Sequence, residues 1–143
     1  MEVSSTEDWS AYHAIRRAEL FENRRRQDYD PNHPSERGKN KFSFIFKVNG
    51  EAAGTVRLDI LDSGRAAVRL VAITKTRQRK GLGSQLMAAL EAVARRKGVT
   101  TLVLNSAPEA VGFYVRLGYV RESWDDPEFA SAEKERVQMT KSI

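Results

Sequence analysis

The stretch "RQRKGLGSQL", residues 77–86, decides how the rest of the chain is read. Cationic side chains at Arg77, Arg79 and Lys80 lead into Gly81-Leu82-Gly83, and Leu82, Leu86, Ala89, Leu90 and Val93 then recur at helical spacing. The pattern predicts a helix to about Lys97, stopped by Gly98. The first N–H groups of a helix lack intrahelical partners and carry the positive end of its dipole. Glycine accepts positive φ and lets a ligand come close to the backbone. A strand, a glycine turn and a helix start in that order make a phosphate site.

Before this loop the chain reads as strands. Phe42, Phe44, Phe46 and Val48 alternate, Asn49-Gly50 is a two-residue hairpin signal, and Val56, Leu58 and Ile60 alternate on the return. Asp62-Ser63-Gly64 turns the chain into "AAVRLVAIT", residues 66–74, apolar on both faces except for Arg69. These three strands form an antiparallel meander. Upstream, Trp9, Tyr12, Ile15, Ala18 and Phe21 predict an amphipathic helix over 7–26, with Arg24-Arg25-Arg26 complementing its dipole. "QDYDPNHPSERGKNK" is a long polar loop. After the loop helix, "TTLVLN" reads as a strand, 108–117 as a helix begun by Pro108 and ended by Gly118, and "YVRES" and "RVQMT" as two last strands. The order is that of a mixed α/β fold, read as one domain over 1–143.

Composition narrows the function classes. No apolar run is long enough to span a bilayer, and "MEVSSTEDW" is too acidic and polar for a secretory signal. There is no cysteine, which excludes disulfides, zinc–thiolate sites and a cysteine nucleophile and fits a cytoplasmic protein. The net charge of +5 fits nucleic acid, a solvated basic surface or a single polyanionic ligand.

Two glycine-loop motifs fail on this sequence. G-x-x-x-x-G-K-[ST] is absent, and G-x-G-x-x-G is broken by Leu86. A third, Q/R-x-x-G-x-G/A, is matched by Gln78, Gly81 and Gly83. With "VRLVAI" before it and "AVGFYVRLGYV", residues 110–120, after it, the chain resembles the Gcn5-related N-acetyltransferase (GNAT) family over about 42–123.

The resemblance implies a GNAT-like fold, a mostly antiparallel mixed sheet flanked by helices, and acetyl-coenzyme A as cosubstrate. The strand before the loop and the strand after its helix would splay, with pantetheine along Val71-Ala72-Ile73. The pyrophosphate would meet Arg79, Lys80, Gly81, Leu82, Gly83 and Ser84, with Gln78 beside them. Tyr114 takes the place of the family's general acid, donating to the leaving thiolate. Its other reading is a core aromatic beside Phe113.

Other positions stay open. Relatives often carry an acidic residue before the loop, and "AAVRLVAI" has none. Asp59, Glu19, His33 or water is left as base, the first two reading otherwise as solvated charges. Asn105 lies nine residues before Tyr114, where relatives have an asparagine at seven. It contacts the cofactor or caps the following turn. Arg69 meets an acidic substrate group or an internal carboxylate. Tyr12, Arg16, Glu19, Tyr29 and His33 would wall the acceptor site. The partners implied are acetyl-coenzyme A and a primary amine, small or peptidic, with no membrane; a homodimer is left open. The competing readings are a silent coenzyme A sensor and a basic nucleic-acid binder, the latter lacking any interleaved aromatic and basic pattern.

Overall fold

The computed structural model describes residues 6–16, 40–62, 64–73, 81–127 and 136–143. The elements are α1 (Thr6–Arg16), β1 (Lys41–Val48), β2 (Glu51–Asp62), β3 (Arg65–Ile73), α2 (Leu82–Arg96), β4 (Thr101–Ser106), α3 (Val111–Arg116), β5 (Val120–Arg121) and β6 (Val137–Ser142). They build a six-stranded sheet in the order β1-β2-β3-β4-β6-β5, in which only β3 and β4 run parallel. The meander is the one its alternation predicts. Asn49 and Gly50 turn β1 into β2 at φ 53 and 83, the double positive φ of a tight hairpin.

Alternation also assigns the two faces. Phe44, Val56, Leu58, Val68, Leu102 and Leu104 pack with Leu86, Met87 and Leu90 of α2 and with Tyr114 of α3. The residues between them point the other way: Ile45 meets Tyr12 of α1, while Ala67 and Val103 meet Trp124. Each large side chain buried in the α2 core contributes roughly 1.5–3 kcal/mol.

Several expected boundaries shift. Of the predicted helix 7–26, Thr6–Arg16 is helical, and 17–26 lies outside the described residues. The predicted helix 108–117 begins as a 3-10 turn at Pro108–Ala110 and becomes α-helical only from Val111. Strand "YVRES" is reduced to Val120–Arg121, because the chain leaves the sheet once the Glu122 N–H has bonded the Gln138 carbonyl.

One irregularity positions everything that follows. Between the pairs Thr55↔Ala72 and Arg57↔Arg69, Leu70 and Val71 of β3 oppose Val56 of β2. Such a bulge bends its strand and raises its twist. The β3–β4 register ends at Val68↔Leu104, whereas β4 stays paired with β6 to Ser106↔Val137. Beyond Val68 the two parallel strands part.

Candidate active site

The gap between β3 and β4 opens beside the start of α2. Gly81 caps that helix in the left-handed conformation, φ 75, with no side-chain cap and no acidic residue in the first turn. A Cβ there would meet nothing within 4 Å, so the glycine serves the backbone turn. The Gln85 N–H bonds back to the Gly81 carbonyl, and the amides before it in the first turn have no intrahelical partner. Gly83 is needed for another reason. A Cβ on it would lie 3.1 Å from Cζ and 3.3 Å from Cε1 of Phe113. It lets α3 close against α2, which the sequence expectation of ligand approach alone did not include.

Ile73, Gly81, Gly83, Ser84, Phe113, Arg116 and Leu117 line a pocket of ≈ 430 Å³ at this junction. Phe113 and Arg116 are contributed by α3 and Leu117 by its C-cap. Their i, i+3, i+4 spacing is the signal that would have found them, and Arg116 adds an exposed cation that the sequence reading missed. Val71 and Ala72 stand with Ile73 on the stretch of β3 that has parted from β4. Gln78, Arg79 and Lys80 lie outside the described residues, as do Glu19, Tyr29 and His33.

Tyr114 is 9% exposed, edge-on to Phe113 (5.1 Å) and to Tyr119 (5.5 Å). Burial pushes its hydroxyl up to about 12, with the Arg136 charge opposing. Burial pushes Tyr119 up further, helped by the negative charge of Glu91. The Tyr119 hydroxyl is buried with no hydrogen-bond partner among the described residues. Glu91 is paired with Lys141 at 2.5 Å.

The opposite face carries a chain of charges. Arg57 holds both oxygens of Asp59 (2.9 and 3.0 Å), and Arg69 reaches Asp59 Oδ2 at 3.3 Å. Arg69 also holds both oxygens of Asp126, each at 2.7 Å, with its Cζ 5.6 Å from the centre of the Trp124 ring. The Trp124 indole N–H donates to the Leu104 carbonyl at 3.0 Å. Asp59 is therefore no solvated charge: it is 4% exposed, and its lone pairs already serve two guanidinium groups. Arg69 takes the internal-carboxylate alternative. Asn105 turns to this network instead of capping the next turn, donating through Nδ2 to Asp126 Oδ2 at 2.6 Å. Tyr12 and Arg16 are both buried, Arg16 Nη1 donating to the Tyr12 hydroxyl at 2.8 Å.

A parted β3–β4 pair beside an uncapped glycine turn is the arrangement that the resemblance implies. Residues 9–119 match the acetyltransferase (GNAT) family. The chain belongs to this family. A Bacillus subtilis protein, YyaT, is 33% identical over 93 residues, 65% of this chain and 60% of that protein. The chain thus spans less than two thirds of that relative. Two solved GNAT-fold structures superpose throughout. The ribosomal-protein-S18-alanine N-acetyltransferase of Escherichia coli has a TM-score of 0.74 at 21% identity, covering 100% of this chain and 94% of that one. An aminoglycoside 6'-N-acetyltransferase complexed with coenzyme A has a TM-score of 0.75 at 12% identity, covering 96% and 92%. At such identities they establish the GNAT fold, a mixed and mostly antiparallel sheet with flanking helices. No helix among the described residues is long and apolar enough to cross a membrane.

Proposed function

We propose that the chain is a single N-acetyltransferase domain that moves the acetyl group of acetyl-coenzyme A to a primary amine, of a small molecule or a peptide, by direct attack. The observation that carries this reading is the end of the β3–β4 register at Val68↔Leu104, next to the uncapped α2 N-terminus. Pantetheine would lie along Val71, Ala72 and Ile73. The pyrophosphate would sit on the turn from Gly81 to Ser84, with Gln78, Arg79 and Lys80 beside it. Arg116 would add charge from the far wall of the pocket.

The carrier supplies a thioester whose carbonyl carbon accepts the amine lone pair. The C–N bond forms as the C–S bond breaks. Tyr114 would give its proton to the departing sulfur and regain one from solvent, while water takes the proton lost by the amine. A phenol held up to about 12 stays protonated throughout the working range, so the acid is always loaded. The same burial makes full transfer to a thiolate of reference pKa ~8.5 uphill unless burial raises the sulfur's affinity for protons as well.

The deciding experiment is thiol release from acetyl-coenzyme A across a broad panel of alkyl amines, amino acids and peptides, beside calorimetric binding of the carrier. Saturable turnover with at least one amine is expected. Tight carrier binding without turnover on any amine would make the protein a sensor.

A further inference from the structure

Asn105 is the first residue of β4 beyond the last β3–β4 pair, on the sheet face that carries Arg69. Its amide is oriented by its partner. Asp126, whose side chain has no exposed surface, accepts both Arg69 Nη groups and Asn105 Nδ2. A carboxylate only accepts, so it fixes which end of the amide faces it. Oδ1 is thereby turned away from Asp126. That oxygen is buried and has no hydrogen-bond partner among the described residues. A buried carbonyl oxygen without a donor calls for an explanation, and a ligand N–H supplies one.

The two faces of the sheet carry different groups. The glycine turn and the ≈ 430 Å³ pocket lie with α2 and α3. Asn105, Arg69 and Asp126 lie on the face that α1 and Trp124 cover. If the carrier enters along the first face, the second remains for the amine.

We propose that Asn105 Oδ1 receives an N–H of the acceptor amine where β3 and β4 part. This rests on the acetyltransferase reading. The contact aligns the neutral amine so that its lone pair faces the thioester carbon. That lone pair forms the C–N bond, the C–S pair leaves on sulfur and takes the Tyr114 proton, and the extra amine proton passes to water. Asn105 takes no proton at any point. Asp126 and Arg69 act on the reaction only by holding it, as positioning residues. A neutral acceptor of this kind orients the amine in a chain that has no carboxylate along residues 66–73.

The test compares wild type, Asn105→Ala and Asn105→Ser by steady-state kinetics with the best amine of the panel and by calorimetric titration with acetyl-coenzyme A. In Asn105→Ala, kcat/KM for the amine is expected to fall about 10-fold, the worth of one lost hydrogen bond, with carrier affinity unchanged. Asn105→Ser, whose hydroxyl oxygen also accepts, is expected to recover part of the loss. Equal losses of carrier affinity and amine kcat/KM in both variants would overturn the proposal, since they report a disturbed network. Weakened carrier binding with an unchanged amine constant would make Asn105 a carrier contact, overturning the proposal while the transferase reading stands. A wild type that binds carrier but acetylates no amine overturns both.

Discussion

Replacing Tyr114 by phenylalanine keeps the ring that packs against Phe113 and Tyr119 and removes only the hydroxyl. The hydroxyl sits about two pH units above its reference value of 10. That rise corresponds to roughly 3 kcal/mol by which burial disfavours the phenolate. The phenol is therefore fully protonated at neutral pH but a reluctant donor, so the variant's turnover should drop on the order of 10²-fold, the lower end for a positioned acid. Carrier affinity and melting temperature at pH 8 should barely change. The pH dependence separates the acid from a packing residue. A solvent-exposed phenol would place the high-pH limb of the rate near its reference value of ~10. With the hydroxyl at about 12, the wild-type rate should show no tyrosine-linked fall until well above pH 10. Stability carries the same signature. Below pH 10 the phenol is protonated in both folded and unfolded chains, and its contribution is fully present. As pH rises from 10 towards 12 the unfolded chain loses the proton first, and that contribution is lost. Tyr114→Phe should therefore lose less melting temperature than wild type between pH 9 and about 11. Stopped assays of thiol release and thermal denaturation across pH measure both effects. Unchanged turnover, or a wild-type rate falling around pH 10 with the phenol, would refute the reasoning.

Arg116→Ala should weaken acetyl-coenzyme A binding several-fold at low salt, and the difference should shrink as ionic strength screens the charge; calorimetry at two salt concentrations checks it. Gly83→Val should lower the melting temperature as well as carrier affinity, because its side chain would run into Phe113. Loss of affinity alone would mean that α3 moves aside without cost. Asp126→Ala should destabilise by about 1–3 kcal/mol in denaturant titrations, since it takes the bidentate partner from the Arg69 guanidinium, at 10% side-chain exposure, and leaves it the longer contact to Asp59. A change below about 1 kcal/mol would show that water reaches this charge.

Much of the fold is carried by local pattern. Alternation at Phe42–Val48 and Val56–Ile60, the Asn49-Gly50 hairpin and the spacing from Leu82 to Val93 depend on near neighbours in sequence, where backbone geometry and solvent decide the outcome. The glycine turn was legible for the same reason: its left-handed Gly81 and the helix start without a side-chain cap are properties of one turn and one helix end. Whatever depends on residues brought from afar was not. The one-residue bulge at Leu70-Val71 re-phases β3 and parts it from β4, yet "AAVRLVAIT" reads as an uninterrupted run because apolar residues occupy both faces. Asp59 looks like a solvated charge until β3 places Arg69 beside it. Asp126 carries no motif at all, and becomes the anchor of Asn105 only because the chain after β5 folds back over β4, 21 residues away in sequence. Sequence patterning alone determined most of the elements and the faces they bury. Tertiary structure alone decided which charges are buried together and which oxygen is left without a donor, because Coulomb attraction and desolvation act through space, on distances that the order of residues does not contain.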